Sequence, residues 1–139
     1  MAPRIPASAI MTAVMLGLAA VASGASLAVQ RHQSKTADRA RAVVLTGGDP
    51  EVGRTLFQAR GCGACHALAA DRSATGLVGP PLGKIATRAF LAGRQPNDPD
   101  HLVAWVQHPQ GIEPGGGMPD PGLSDAEARD VAAFLYTLR

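Results

Sequence analysis

The sequence from residue 62 to residue 66 is Cys62-Gly63-Ala64-Cys65-His66. Two cysteines three positions apart, followed directly by a histidine, form the attachment pattern of a c-type haem. On a helical turn the two cysteines share one face, so both can reach the vinyl groups of a single porphyrin, and His66 then points at the iron as its proximal ligand. The chain contains two cysteines in all. The motif therefore predicts one covalently bound haem c, with no thiol left over.

Three alternative uses of the cysteines fit the sequence less well. A disulfide-exchange motif of the thioredoxin kind requires a strand–helix alternation, and no Val/Ile-rich strand precedes Cys62. A zinc site requires four ligands at short spacings, whereas His101 and His108 lie far downstream. A structural disulfide between Cys62 and Cys65 leaves His66 without a role. We therefore favour haem attachment.

An uncharged run of 23 residues, 7–29, follows Arg4 near the start of the chain. As a helix it would span roughly 34 Å, enough to cross a bilayer core of about 30 Å. Ala20-Val21-Ala22 is an acceptable signal-peptidase site, so a cleaved signal peptide is the alternative. Because the apolar core of a signal peptide is typically about 7–15 residues long, the length favours a signal-anchor transmembrane helix over residues 1–30. Either form exports the rest of the chain.

The charges are unevenly distributed along the chain. Of 13 basic and 11 acidic side chains, eight basic and ten acidic lie in residues 47–139. The basic overall balance therefore belongs to the N-terminal part, and it does not indicate nucleic-acid binding. Residues 31–47 are polar and basic and end at Gly47-Gly48. We predict a linker there, helical at most in part, followed by a haem domain over residues 48–139.

The haem domain begins with a helix signal at Asp49-Pro50-Glu51, in which aspartate is the N-cap and proline the first helical residue. Val52, Leu56 and Phe57 mark the expected buried side of the helix that runs into the cysteine motif. Gly53 lies one turn before Phe57, where a larger side chain would obstruct a close helix crossing. We therefore expect another helix to cross this one at Gly53.

The middle of the domain contains shorter elements. Residues 84–92 are predicted to form a short helix that Gly93 ends, and Asp98-Pro99 repeats the helix signal for an element that stops at Pro109. Upstream, the motif Gly79-Pro80-Pro81-Leu82 leaves backbone carbonyls as the available polar groups. A ligating histidine needs an acceptor for its second ring nitrogen, and we expect the Pro80 carbonyl to provide it.

Residues 109–123 are rich in glycine and proline, so the sequence predicts no regular element there. Met118, the only methionine after the N-terminal segment, lies in this stretch. A lone methionine usually fills space in a core. In a Gly-Pro loop downstream of a haem motif, we instead predict an axial ligand to the iron.

The last helix is predicted from a capping box at Ser124-Asp125-Ala126-Glu127. After it, apolar residues recur at helical spacing and form a single face. That face should pack on the first helix of the domain. Its members are Val131, Phe134, Leu135 and Leu138.

As an ordered set these motifs resemble those of class I, or mitochondrial-type, cytochromes c, and particularly the membrane-anchored bacterial forms that donate electrons to a terminal oxidase. The resemblance covers about residues 48–139. Its elements, in chain order, are Gly53 and Phe57, residues 62–66, Gly79-Pro80-Pro81-Leu82, Met118-Pro119, and a C-terminal helix with Val131 and Phe134.

The resemblance implies an all-α class I cytochrome c fold behind an N-terminal transmembrane helix. Crossed N- and C-terminal helices, short intermediate helices and a methionine loop would enclose the haem. It implies thioether bonds at Cys62 and Cys65 and axial ligation by His66 and Met118. Further haem contacts are implied for Pro80, whose carbonyl accepts from the histidine ring, for Leu82, and for Trp105 and Arg88 at the propionates.

The function implied is that of an electron-transfer protein and not an enzyme. The chain would carry single electrons from a quinol-oxidising bc1 complex to a cytochrome c oxidase, with no small-molecule substrate. It would be a single-pass protein of the bacterial inner membrane, with its haem domain in the periplasm. The alternatives are a permanent electron-relay subunit of a larger membrane complex and, less in keeping with a filled sixth site, a haem peroxidase or gas sensor.

Overall fold

The computed structural model describes residues 6–139. Residues 1–5 lie outside the described part of the chain. They include Arg4 and the start of the predicted anchor over residues 1–30. The chain forms two compact units, residues up to Thr36 and residues 37–139, and each is described by itself. The elements in order are α1 (Ala7–Thr46), α2 (Pro50–Ala59), 3-10 turns at Cys62–Ala64 and Ile85–Thr87, β1 (Phe90–Leu91), β2 (Gln95–Pro96), α3 (Pro99–Gln107), α4 (Pro109–Ile112) and α5 (Asp125–Tyr136).

The first unit contains the part of α1 up to Thr36, which includes its apolar stretch. This helix contains an 18-residue window with a mean hydropathy of 1.9, of which none is buried. By length and composition it could cross a membrane. A signal sequence near the N-terminus would meet the same criterion, so the choice between an anchor and a cleaved leader stays a prediction.

The last turns of α1, residues 37–46, belong to the second unit. The sequence predicted a linker over residues 31–47, but the helix continues to Thr46. Ala42 is fully buried and Thr46 is 2% exposed. They lie four residues apart on one helix face, and two such small side chains do not form a recognisable apolar stripe in the sequence. Two ion pairs join these turns to the rest of the unit, Asp38–Arg139 at 3.2 Å and Arg39–Glu51 at 2.5 Å.

The start of α2 confirms the predicted signal. The Asp49 side chain accepts hydrogen bonds from the backbone N–H groups of Glu51 and Val52, and Pro50 occupies the first turn. Phe57 is buried, as expected. The expectation was wrong for Val52, which is 45% exposed, because the face of α2 that meets its neighbour is centred on Gly53 and Phe57.

The crossing of α2 and α5 confirms the predicted pairing of terminal helices. A Cβ atom at Gly53 would overlap the carbonyl oxygen of Asp130, so only glycine permits this approach. The rings of Phe57 and Phe134 pack with centroids 5.5 Å apart at 58°, a favourable tilted geometry. The capping box that begins α5 forms as predicted, with Ser124 and Glu127 each bonding the other's backbone N–H.

The segment at residues 84–92 is not the helix that the sequence predicted. It contains one 3-10 turn and then β1, which pairs antiparallel with β2 through a turn at Gly93 (φ +70°). The side-chain amide of Asn97 donates to the carbonyls of Ile85 and Arg88, at 2.7 and 2.9 Å. The backbone is extended at Arg88, so the 3-10 turn does not continue as a helix, and the Asn97 amide satisfies carbonyls at its end.

The predicted helix after Asp98 is confirmed as α3, with the Asp98 side chain capping the N–H of His101. The prediction that residues 109–123 contain no regular element was wrong at the start, where Pro109 opens the four-residue α4. Proline suits a first helical position, because the N–H that it lacks would be unpaired there in any case. The core of the unit combines α2, α3 and α5, with Phe57, Leu102, Val131 and Leu135 among its most buried side chains.

Candidate functional site

The unit formed by residues 37–139 contains a cavity of about 360 Å³, within the usual range of about 300–1,000 Å³ for ligand pockets. Its wall is mainly apolar, with side chains such as Ile85, Val106 and Leu123. All of the residues that the sequence predicted for the site lie on this wall, namely Cys62, Cys65, His66, Pro80, Leu82, Arg88, Trp105 and Met118. Their spacing along the chain is wide, so it is the fold that brings them together.

The two cysteines lie at the end of α2, on a 3-10 turn that Gly61 begins in a left-handed conformation (φ +69°). The carbonyl of Cys62 accepts hydrogen bonds from the N–H groups of Cys65 and His66, at 3.2 and 3.0 Å. The tight turn places the two sulfurs and the imidazole on one cavity wall. Burial raises the pKa of the Cys62 thiol, so this sulfur is a neutral thiol before it forms a bond.

His66 has a fixed ring orientation. Its Nδ1 lies 2.8 Å from the carbonyl oxygen of Pro80, the contact expected from the sequence. Because a carbonyl can only accept, Nδ1 of the neutral ring carries the proton and Nε2 keeps its lone pair for a metal. A Cβ atom at Gly79 would overlap the His66 ring, so the backbone of Gly79 lies directly against the imidazole.

The loop after His66 returns to the cysteine turn through close backbone contacts that sequence reasoning missed. Gly76 N–H donates to the Gly63 carbonyl at 3.0 Å, and a Cβ at Gly76 would overlap the carbonyl of Ala64. A Cβ at Gly63 would come within 2.8 Å of the Ala74 Cβ. The signal in the sequence was the presence of glycine at positions 63 and 76, on either side of a loop with no regular element.

Met118 lies in the loop that follows α4. Three hydrogen bonds connect this loop to the side chain of Gln110, which also lines the cavity. Sequence reasoning missed Gln110, because a single glutamine between a proline and a glycine matches no motif. The only available signal was its place at the start of the glycine-rich stretch.

The charged and aromatic residues on the wall have partners in the fold. The Arg88 guanidinium donates to the carbonyl of Pro81, next to the residue that meets the histidine ring. Arg60 forms an ion pair with Glu127 of α5 at 2.9 Å, and that contact helps to hold the pKa of Glu127 below its ordinary value, after the larger effect of the Ser124 N–H. Trp105 packs partly buried against the core. The wall therefore includes an indole and two guanidinium groups, which are the types of group that can donate to carboxylates.

The donor set at this cavity fits a haem c. It combines two thiols on one turn, an imidazole with a free Nε2, and a thioether sulfur, all on an apolar wall. Thiols form the covalent bonds to the vinyl groups, and imidazole and thioether are suitable axial ligands for haem iron. These residues could therefore hold a haem c, which would supply a one-electron redox centre.

Comparison with known proteins gives one family. Residues 50–139 match the family described as cytochrome c. The chain is similar to the cytochrome c of Tetrahymena pyriformis, 30% identical over 104 residues that cover 69% of this chain and 94% of that protein. It is similar to cytochrome c2 of Rhodopila globiformis, 34% identical over 107 residues that cover 66% and 95%.

A larger protein is also similar. Cytochrome c oxidase subunit 2 of Alkalihalophilus pseudofirmus is 31% identical over 88 residues, which cover 63% of this chain and 25% of that protein. The chain thus spans about a quarter of the length of the oxidase subunits that it matches.

Proposed function

Because this chain belongs to the cytochrome c family, we propose that it is a membrane-tethered one-electron carrier of a respiratory chain. As a family member it binds one haem c covalently through Cys62 and Cys65 and carries electrons. The observation that carries the proposal is the cavity on whose wall both cysteines, His66 and Met118 lie together.

We assign His66 and Met118 as the axial ligands. The bound haem supplies an iron that changes between the ferrous and ferric states by one electron. The protein's part is to keep Nε2 of His66 and the Met118 sulfur available and to surround them with apolar side chains. With both axial positions filled by protein, a substrate has no open coordination site, which suits electron transfer. Methionine ligation also raises the reduction potential, as a donor to an oxidase requires.

For the partners, we propose a quinol-oxidising complex of the bc1 type as donor and a cytochrome c oxidase as acceptor. The oxidase is supported by the similarity to proteins named cytochrome c oxidase subunit 2. The donor rests on the resemblance to oxidase-donating cytochromes. We further propose that α1 is an uncleaved anchor in the inner membrane of a bacterium and that the haem domain lies in the periplasm.

A tether raises the local concentration of the partner, so release should reduce electron delivery. The test is a protease site between Thr36 and Ala37 of the full-length protein, reconstituted with an oxidase in vesicles. This position leaves residues 37–46 on the domain, where Ala42 and Thr46 are buried. The rate of oxidase reduction is measured before and after cleavage. The control is the same protease treatment of vesicles that contain the protein without the protease site.

The proposal predicts that cleavage lowers the rate of oxidase reduction several-fold at equal bulk concentration. Addition of more released domain should restore this rate. The rate should depend only weakly on salt concentration. A rate that cleavage does not change would show that the anchor does not serve electron delivery.

The second candidate is a permanent relay subunit of a membrane complex. It is favoured by the occurrence of a similar sequence within oxidase subunits, where the matched region is about a quarter of the length. Solubilisation in mild detergent followed by size-exclusion chromatography separates the two functions. A mobile carrier elutes alone, and a fixed relay elutes with its complex.

A further inference from the structure

The loop that contains Met118 has little regular structure of its own. It leaves α4 after Ile112, passes through Gly115 in a left-handed conformation (φ +79°), and reaches α5 at Asp125. One backbone hydrogen bond, from Gly116 N–H to the Glu113 carbonyl at 2.9 Å, closes a turn within it. A ligand on such a loop needs another restraint if its sulfur is to stay at one place.

That restraint is the side chain of Gln110. Its Nε2 donates to the carbonyl of Met118 at 2.6 Å and to the carbonyl of Gly116 at 2.8 Å, and its Oε1 accepts from the N–H of Gly115 at 3.1 Å. The two carbonyls can only accept, so the NH₂ group must face them. Both amide hydrogens and the amide oxygen are therefore used on three backbone positions of one loop.

Gln110 is itself attached to a fixed base. It follows Pro109, which is among the largest fully buried residues, and it lies in the first turn of α4. Its own N–H donates to the Asp120 carboxylate at 3.1 Å, on the far side of Met118. The residues on both sides of the methionine are thus connected to position 110.

We propose that Gln110 is a positioning residue that holds the Met118 sulfur at the iron, and that it sets how readily this ligand is displaced. The inference rests on the axial role that the proposed function gives to Met118. Gln110 acts through the loop backbone, and its amide does not contact the ligand sulfur in this role.

The decisive variant is Gln110→Glu, which keeps the size of the side chain. It replaces the NH₂ group by a carboxylate oxygen that faces the carbonyls of Gly116 and Met118, so two attractive contacts become repulsive. The matched control is Gln107→Glu on α3, the same charge change three positions away, where the side chain makes one long contact of 3.5 Å to the Leu123 carbonyl.

The readout is displacement of Met118 by added imidazole in the oxidised holoprotein, followed by the weak Met–Fe(III) absorption band at the red end of the visible spectrum. Loss of two hydrogen bonds should increase the apparent affinity for imidazole about tenfold or more, weaken the band and lower the reduction potential. The control should stay within about twofold of the wild type. A merely structural role would lower the thermal midpoint and leave imidazole affinity unchanged in the folded protein, which would overturn the proposal.

A second measurement needs no variant. In the wild-type holoprotein the Gly115 N–H should exchange slowly with deuterium, because it donates to Gln110. Exchange at the rate of a free glycine amide would overturn the proposal even if Gln110→Glu does not fold. A wild type that itself lacks the Met–Fe(III) band would instead contradict the proposed ligation by Met118, so the two failures are distinguishable.

Discussion

The two sides of the cavity are constructed in different ways. On the side of His66, the backbone closes on itself, with Gly79 N–H donating to the Cys65 carbonyl at 2.8 Å and Leu82 N–H to the Ala67 carbonyl at 2.9 Å. The chain there runs so close to the imidazole that Gly79 has no room for a Cβ atom. On the side of Met118, a Cβ at Gly111 of α4 would meet only the Cβ of His108, at 3.8 Å. The loop depends instead on the amide of Gln110.

The difference shows which ligand should be released first. A backbone in direct contact with a ring cannot move without opening a gap or creating an overlap, and dense packing tolerates neither well. Side-chain hydrogen bonds in a partly exposed loop can be exchanged for bonds to water at a net cost of about 1 kcal/mol each. We therefore expect histidine ligation to persist under conditions that remove the methionine.

The largest effect is expected at the crossing that supports both sides. In Gly53→Ala the new Cβ would overlap the Asp130 carbonyl, so α2 and α5 must separate. We expect the free energy of unfolding to fall by about 3 kcal/mol, because this crossing supports both sides of the cavity. Chemical denaturation followed at the Soret band measures this.

The matched control for the crossing is the neighbouring Val52→Ala, at a position that is 45% exposed. It should change the stability by less than about 1 kcal/mol. Equal stability of the two variants would show that the helices do not cross at Gly53 as described.

The comparison of the two sides is tested directly by one change on each. Gly79→Ala forces a methyl group against the His66 ring and should cost about 2 kcal/mol, with a reduced yield of low-spin holoprotein. Gly111→Ala adds the same methyl group where only the His108 Cβ lies within 4 Å, at 3.8 Å, and should be neutral or slightly stabilising. Denaturation and the absorption spectrum report both. If Gly111→Ala is the more damaging change, the assignment of a rigid histidine side is wrong.

Local signals in the sequence predicted much of this structure. Asp49 and Asp98 each cap a helix that proline then begins, and Ser124 with Glu127 forms the predicted capping box. These interactions span at most three residues, so sequence order alone specifies them. The crossing at Gly53 was predictable for a similar reason, since a glycine one turn before a buried aromatic indicates close approach.

Features that depend on distant partners were not predictable. The segment at 84–92 resembles a helix in the sequence, and the Asn97 amide that bonds its Ile85 and Arg88 carbonyls comes from later in the chain. The end of α1 resembles a linker because the burial of Ala42 depends on tertiary packing. The role of Gln110 could not be recognised from the sequence. Its side chain bonds three backbone groups, and because every residue has a backbone, no residue type at those positions indicates the contact.

The smallest effect concerns the histidine side alone and depends on pH. Hydrogen bonds from the Ser73 hydroxyl and the Gln58 amide lower the pKa of Asp71 from 3.8 to about 2. The folded state therefore binds this proton more weakly than the unfolded state, and the stabilisation is present above about pH 4 and lost as the pH falls through about 2. Asp71→Asn should be less stable than the wild type near neutral pH, and the loss of stability should be smaller than in Gly53→Ala or Gly79→Ala.

Thermal melts from pH 7 to pH 2 measure this difference. It should narrow below about pH 4, because protonation of the wild-type carboxyl removes the same interaction. A difference in midpoint that stays constant down to pH 2 would contradict the lowered pKa of Asp71. The Met–Fe(III) band should be the same in both proteins at neutral pH, since the loop after His66 does not contain the second ligand.

We propose that Cys62, Cys65, His66 and Met118 together bind one haem. The visible spectrum of the oxidised full-length protein, recorded beside that of Met118→Ala, tests this directly, with haem staining of both proteins on denaturing gels. We expect stained bands of equal strength, and a Met–Fe(III) absorption band that is present in the wild type and absent in the variant. A wild type without that band, or a variant that retains it, would show that Met118 does not ligate the iron.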